Sequence, residues 1–278
     1  MKIYNTSKGI LIESENEFYL NNKKWDELIN DDNLFKNLKS FVSTSTPIAN
    51  AQDLIDNYLK APLENQEIWA SGVTYFNSKM ARQEESKDAG GADFYERVYH
   101  ADRPELFFKA TAQRSVPSGG KVKIRKDSSW DVPEPELTLV ITSSGKIIGY
   151  TVGNDMSSRS IEGENPLYLP QAKTFDACAG VGPCVLVTEN PFPLDAEIHL
   201  KVIRNSEVIF NETTSVSKMK RNPQELVDYL FRECTFPHGC LLMTGTGIVP
   251  TTDFTLKSND EIQISIPTLE SVDSNSSD

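Results

Sequence analysis

The stretch Trp130–Asp155, WDVPEPELTLVITSSGKIIGYTVGND, decides how this chain folds and where its chemistry lies. Apolar residues alternate on either side of Ser144-Gly145, the pattern of two strands joined by a two-residue hairpin turn. In that register Leu137, Leu139 and Ile141 share a core face with Ile148, Tyr150 and Val152. Glu134, Glu136, Thr138, Val140 and Thr142 share the other face with Ile147, Gly149, Thr151, Gly153 and Asp155. Glu134 then stands opposite Asp155, and Glu136 opposite Gly153.

Directly opposed side chains in a sheet have Cβ atoms about 4.5–5.5 Å apart. Three carboxylates therefore converge, and Gly153 leaves space opposite Glu136. Like charges this close need a cation between them or must protonate. A divalent ion with oxygen ligands is one resolution, and Mg²⁺, which keeps water or substrate oxygens in its shell, suits three protein ligands. A solvated acidic hairpin end is the other. Pro135 cannot donate to a ladder, so this end opens at an edge that a ligand can reach.

Working outward, residues 1–62 form a small N-terminal domain with strands at Lys2–Tyr4, Gly9–Glu13 and Glu17–Leu20. Helices follow at Trp25–Phe41 and Asn50–Tyr58, and Ala61-Pro62 reads as the linker. Tyr75–Tyr99 is polar and periodic around Gly90-Gly91, as in two helices with a flexible joint. Beside a site it would act as a lid; otherwise it is a solvated helical pair. From Pro104 the pattern is β-rich, with strands expected at Glu105–Lys109, Lys121–Ile124, Leu137–Thr142, Ile147–Val152, Val185–Thr188, Ile198–Arg204, Glu207–Asn211 and Glu261–Ile266. Asn205-Ser206 marks a hairpin turn and Pro223–Arg232 a helix. The catalytic domain spans 63–270, and the polar tail 271–278 is expected to be disordered. The fold class is a β-rich α+β protein.

Composition narrows the function. The 278 residues carry 28 Lys+Arg against 40 Asp+Glu, a net charge of −12, which repels nucleic-acid backbones. Thirteen Phe, 9 Tyr and 3 Trp argue for a packed core. No apolar run approaches the roughly 20 residues that cross a bilayer, and the first 20 residues lack a secretory signal, so no membrane is expected and a cytoplasmic location is. Cys178, Cys184, Cys234 and Cys240 form no C-x-x-C pair and read as buried thiols. With only His100, His199 and His238, the metal should be a hard ion held by oxygen.

Four ordered blocks, PEPELTLVI (133–141), GYTVGNDMSSR (149–159), QAKTFDACAGVGP (171–183) and TGTGIVP (244–250), resemble the fumarylacetoacetate hydrolase superfamily. The resemblance covers about residues 68–267. It implies that family's mixed β-sandwich or roll, a homodimer or homotetramer, and Mg²⁺, with Mn²⁺ or Ca²⁺ as substitutes. It makes Glu134, Glu136 and Asp155 the metal ligands, in agreement with the hairpin. Lys173 matches the family's active-site lysine. YERVYHADRPELFFKATAQR (95–114) and ENPLYLPQAKTF (164–175) look like the branch that dehydrates 2-keto-3-deoxy-D-arabinonate, and there Glu105 matches an acidic active-site residue.

The activity so implied is dehydration of a 2-keto-3-deoxy sugar acid to 2,5-dioxopentanoate through a metal-stabilised enolate. Glu105 and Lys173 are its catalytic candidates. Thr74, Tyr75, Lys109 and Thr246 are the candidate substrate contacts. His100 is a proton carrier or a solvated side chain. C–C hydrolysis of an acylpyruvate, or decarboxylation of oxaloacetate, is the alternative within the superfamily. The lid stretch has Glu84 and Glu85 but no His before His100 to deliver water, which favours dehydration.

Overall fold

In a computed structural model, which describes residues 1–85 and 92–277, the chain starts with strands β1 (Lys2–Thr6), β2 (Gly9–Ser14) and β3 (Glu17–Asn21). Helices α1 (Trp25–Ile29), α2 (Leu34–Thr44) and α3 (Ala51–Tyr58) follow. Next come β4 (Glu67–Gly72), helices α4 (Phe76–Glu85) and α5 (Ala92–His100), and β5 (Glu105–Ala110). Three short strands, β6 (Ser115–Val116), β7 (Lys121–Lys123) and β8 (Asp131–Val132), lead into the hairpin β9 (Pro135–Ile141) and β10 (Ile147–Asp155). Then follow β11 (Ser157–Ser158), α6 (Arg159–Glu164), α7 (Leu169–Lys173) and β12 (Ala179–Val187). The chain continues with β13 (Glu197–Arg204), β14 (Glu207–Ser215), α8 (Pro223–Leu230) and β15 (Cys240–Met243), and closes with β16 (Glu261–Ile266) and β17 (Glu270–Ser277).

Ten strands form one sheet, β3-β2-β1-β12-β10-β9-β15-β4-β5 with β6 beside β12. Five form a second, β14-β13-β16-β17-β7. Leu137, Leu139 and Val152 of the large sheet pack on Ile198, Leu200, Ile262 and Ile264 of the small one. On the opposite face Val140, Ile148 and Leu241 meet Trp25, Leu28, Leu34 and Leu38 of the N-terminal helices. β1 pairs with β12, so the first three strands extend the same sheet. The described residues thus form the expected β-rich α+β architecture, with both faces of the large sheet covered.

The central hairpin has the expected register, with Gly153 opposite Glu136 and Thr151 opposite Thr138. Its turn differs. Lys146 accepts from Thr142 N–H, and Gly145 takes φ +84°, so three residues make the loop rather than two. A bulge at Ile148 absorbs the extra residue and restores the register beyond it. As a result Ile148 turns to the face of Val140 instead of joining Tyr150 and Val152.

Asn205 and Ser206 both adopt positive φ in the β13–β14 turn, as a two-residue hairpin loop requires. The tail expected to be disordered is strand β17, paired with β16 on one side and β7 on the other. Its side chains are polar, but Val272, Ser274 and Ser276 point inward and the backbone bonds on both edges decide its conformation. Cys178, Cys184 and Cys240 are buried, whereas Cys234 is exposed, against expectation, in the turn after α8. Among the described residues no helix is long and apolar enough to cross a membrane.

Candidate active site

One end of the large sheet gathers the chemistry. β9 and β5 begin there, and β10, β4 and β15 end there. Asp155 N–H donates to the Glu134 carbonyl at 2.9 Å, continuing the hairpin ladder one step beyond Pro135. Backbone pairing therefore sets the carboxylates of Glu134, Glu136 and Asp155 side by side. All three are buried, and one oxygen from each lies within 4.8 Å of the others. The space expected at Gly153 is already taken: a Cβ there would lie 2.3 Å from Thr138 Oγ1 and 3.0 Å from Met243 Cε.

The cations come from other elements. Lys173, at the end of α7, donates Nζ to Glu134 Oε2 at 2.6 Å, to Ser157 Oγ at 2.6 Å and to Asp155 Oδ2 at 3.3 Å. Arg159, on the first turn of α6, donates to Glu134 Oε1 at 3.0 Å and pairs with Glu85 of α4. Arg82 of α4 pairs with Glu162 of α6. Two crossed ion pairs thus seat α4 on α6, over the carboxylates.

Lys109 is a correction. It lies outside the cavity, wholly buried behind Asp155. Its ammonium donates to Asp155 Oδ1 at 2.6 Å, to the Met156 carbonyl at 2.8 Å and to the Lys173 carbonyl. It orients a carboxylate rather than a substrate.

Glu105 and Gly72 are opposed across β4 and β5. A Cβ at Gly72 would lie 1.9 Å from Glu105 Oε2, so the carboxyl lies flat over a position that only glycine can supply. Glu105 Oε2 is shut off from solvent and has no hydrogen-bond partner. Burial pushes its pKa up; Arg82 and Lys173 pull it back in part, and Glu134 adds to the rise. The metal-ligand candidates diverge in the same way. Burial raises Glu134, but Lys173, Arg159 and Arg82 outweigh it and hold that carboxyl well below its ordinary range. Burial, with Asp155 and Glu134 alongside, pushes Glu136 well up, and its one backbone donor, Gly245 N–H at 2.6 Å, only partly offsets this.

Thr246 lines the cavity with its hydroxyl donated to the Ile248 carbonyl. Thr74 sits one layer back, donating Oγ1 to the Thr244 carbonyl at 2.7 Å. Tyr75 is also behind the wall, its buried hydroxyl without a partner and its pKa raised by burial and by Glu136. His100 is exposed and pairs with Glu96, away from the site. The Gly90-Gly91 joint lies outside the described residues. Sequence reading missed Ser71, Ser78, Arg82, Phe107 and Arg159 as cavity residues. The available signal was the i,i+3 charge pair, Arg82/Glu85 on α4 and its reverse-paired counterpart Arg159/Glu162 on α6.

Among the described residues six carboxylates (Glu85, Glu105, Glu134, Glu136, Asp155 and Glu162) meet four cations (Arg82, Lys109, Arg159 and Lys173). With all six ionised the excess is two negative charges, which one divalent cation would cancel; without it, the raised pKa values of Glu105 and Glu136 relieve the same excess by protonation. Glu134, Glu136 and Asp155 form an all-oxygen donor set of the kind Mg²⁺ takes. The space left among the side chains is about 10 Å³, roughly one water molecule, so a substrate enters only if an element around the cavity moves.

Residues 67–275 match the fumarylacetoacetate (FAA) hydrolase C-terminal family, and the chain belongs to that family. A Haloferax volcanii protein named Probable 2-keto-3-deoxyxylonate dehydratase is 49% identical over 213 residues, 76% of this chain and 72% of that protein. The 2-dehydro-3-deoxy-D-arabinonate dehydratase of Saccharolobus solfataricus is 43% identical over 218 residues, with the same shares of 76% and 72%. A solved structure of 2-keto-3-deoxy-D-arabinonate dehydratase complexed with magnesium and 2,5-dioxopentanoate superposes with a TM-score of 0.83 at 31% identity. It covers 99% of this chain and 98% of the other.

Proposed function

We propose that this chain is a Mg²⁺-dependent hydro-lyase that converts a 2-keto-3-deoxy pentonate, 2-dehydro-3-deoxy-D-arabinonate, to 2,5-dioxopentanoate. Relatives at 43% and 49% identity carry dehydratase names. Glu134, Glu136 and Asp155 would hold the ion. When bound, it supplies a Lewis acid that polarises a 2-keto group and favours loss of a proton from C3. Lys173 places positive charge where the keto oxygen becomes negative, and Ser157 and Glu134 hold its ammonium in place.

The observation that carries the reading is Glu105. Its carboxyl lies over Gly72, which lines the cavity, with Oε2 shut off from solvent and unpartnered, and burial raises its pKa, so it keeps a proton more readily than an exposed glutamate. Dehydration needs one proton off C3 and one delivered to the departing C4 hydroxyl. Tautomerisation through C5 then yields the aldehyde. One carboxyl beside the cavity, held against Gly72 of its lining, would serve both transfers.

The test is turnover of 2-keto-3-deoxy pentonates and hexonates, acylpyruvates and oxaloacetate, with and without Mg²⁺, read by trapping the new aldehyde. Ion-dependent aldehyde from a pentonate is the expected result. Cleavage of acylpyruvates or decarboxylation of oxaloacetate, with the pentonates untouched, would replace dehydration by the hydrolase or decarboxylase reading. We also place the enzyme in the cytoplasm as a homodimer or homotetramer, which light scattering and fractionation test.

A further inference from the structure

We propose that Arg82 of the lid helix binds the terminal C5 hydroxyl of the substrate and so sets specificity at the end of the molecule remote from the keto acid. The inference rests on the dehydratase reading above and assigns a role that reading leaves open.

Helix α4 brings two side chains to the cavity, Ser78 and Arg82, four residues apart on one face. Ser78 turns its hydroxyl onto the Tyr75 carbonyl at 2.8 Å, as part of its own helix start. Arg82 is therefore the lid's polar contact with the cavity interior. It is a buried guanidinium at 5% exposure, held by Glu162 and covered by the Tyr95 ring with its centroid 5.9 Å from the guanidinium carbon.

Most other cavity groups have their tasks; the exception is Ser71 of β4, whose buried hydroxyl has no partner among the described residues but belongs to the sheet and not to the helix that covers the cavity. Glu134, Glu136 and Asp155 serve the ion and, with it, the keto-acid end; Lys173 serves the keto oxygen; Glu105 serves C3 and C4. Arg159 is spanned between Glu134 and Glu85. A 2-keto-3-deoxy pentonate has one more polar group, the C5 hydroxyl. It is carried into a cavity of about 10 Å³, too small for it until a covering element gives way, and α4 covers the cavity with Ser78 and Arg82. A guanidinium has five N–H donors in a planar fork, so Arg82 can take a hydroxyl oxygen beside the carboxylates that already surround it. An arginine on the lid touches the substrate only when the lid is down, so the contact rewards closure over the correct molecule.

The experiment compares 2-keto-3-deoxy-D-arabinonate with 4-hydroxy-2-oxopentanoate, the same five-carbon acid with a methyl in place of the hydroxymethyl. Both can lose the C4 hydroxyl. The wild-type Mg²⁺ enzyme should prefer the pentonate in kcat/KM; Arg82→Met should cost activity on both acids, because Arg82 also sits beside Glu105 and Glu134, but should cost the pentonate about 10- to 100-fold more and so shrink the preference by that factor. Arg82→Lys should retain an intermediate preference.

Because Arg82→Met strands the buried Glu162 carboxylate, the double variant Arg82→Met/Glu162→Gln is measured beside it; it should show the same shrunken preference with a wild-type Tm. Equal losses on both acids would mean that Arg82 acts in lid packing or in expelling the C4 hydroxyl, and would overturn the proposal. A wild type that does not discriminate the two acids would overturn it as well. A wild type that binds Mg²⁺ but dehydrates neither acid would overturn the dehydratase reading and this inference with it.

Discussion

The two walls of the cavity are built by different physics. On the sheet wall Glu134, Glu136 and Asp155, with Glu105 beside them against Gly72, project from strand ends whose backbones are locked in ladders, so their spacing follows from register. On the helical wall Arg82, Glu85, Arg159, Glu162 and Lys173 sit on short helices, and ion pairs and hydrogen bonds between side chains hold them together. The sheet wall brings excess negative charge into low dielectric at fixed positions. The helical wall brings the compensating cations on elements able to move. A rigid wall suits ligands that must converge on one ion, and a movable one suits admission and closure.

The largest effect should come from removing the proton carrier on the rigid wall. Glu105→Gln keeps the shape over Gly72 and removes the titrating group, so kcat should fall about 10²–10⁴-fold with Mg²⁺ affinity nearly unchanged. Pre-steady-state deuterium exchange at C3 sharpens the result. Exchange lost together with turnover makes Glu105 the base; exchange retained without turnover makes it the acid that expels the C4 hydroxyl. Full activity would remove it from the mechanism. Lys173→Met should also lower kcat while the ion still binds.

A smaller effect is expected behind the wall. Lys109 touches nothing in the cavity but fixes Asp155 and the carbonyl of Lys173. Partners one step behind a metal ligand typically matter by about 10–100-fold in affinity, so Lys109→Met should weaken Mg²⁺ binding by that factor in isothermal titration. Tighter binding in the variant would show instead that the ammonium competes with the ion for Asp155.

The difference between the walls also explains what the sequence made legible. Period-two alternation placed Glu134 opposite Asp155 and Glu136 opposite Gly153, even though the turn was one residue longer, because the bulge at Ile148 cancelled the error before it reached the site. Strand β15, a four-residue apolar run, and the first half of β12, rich in Gly and Pro, carry no periodic signature and were missed. β17 is polar and is a strand only because two neighbours bond its backbone. On the helical wall no local pattern brings Arg82 to Glu162, 80 residues apart, or lifts Glu85 onto Arg159. Those contacts arise only when α4 folds over α6. Period-two alternation would put Lys109, four residues after Glu105, on the same strand face, but the register shifts between Trp69 and Ile68, where Lys109 lies, and its side chain ends up behind Asp155.

The rigidity of the sheet wall can itself be probed. Gly153→Ala would set a Cβ 2.3 Å from Thr138 Oγ1 and 3.0 Å from Met243 Cε, inside a strand that is buried from Ile148 onward. Overpacking of this kind typically destabilises by about 1–3 kcal/mol. Thermal denaturation should show a lower Tm, and activity should fall with it because Glu136 is the cross-strand neighbour. An unchanged Tm would mean that the wall yields where backbone pairing implies it should not.

The smallest effect lies at the seam between the walls. Asp131 in β8 pairs with Ser158, the N-cap of α6, three residues before Glu134. Its residue is 3% exposed, Oδ1 has no hydrogen-bond partner, and burial pushes its pKa up to about 6, which the Ser128 hydroxyl only partly opposes. An unfolded Asp titrates near about 3.9. Between these values the folded chain holds a proton that the unfolded chain has released. Stability contributed by this group is therefore fully present below about pH 4 and is lost as pH rises through about 6. The full difference corresponds to about 3 kcal/mol, which screening by nearby solvent reduces to on the order of 1–2 kcal/mol. Asp131→Asn keeps the shape without the charge. The variant should match the wild type in Tm near pH 4 and exceed it at pH 7, and comparing the two proteins at each pH cancels every other titrating group. An equal Tm difference at both pH values would show that Asp131 is already solvated or paired, and that the seam carries no buried charge.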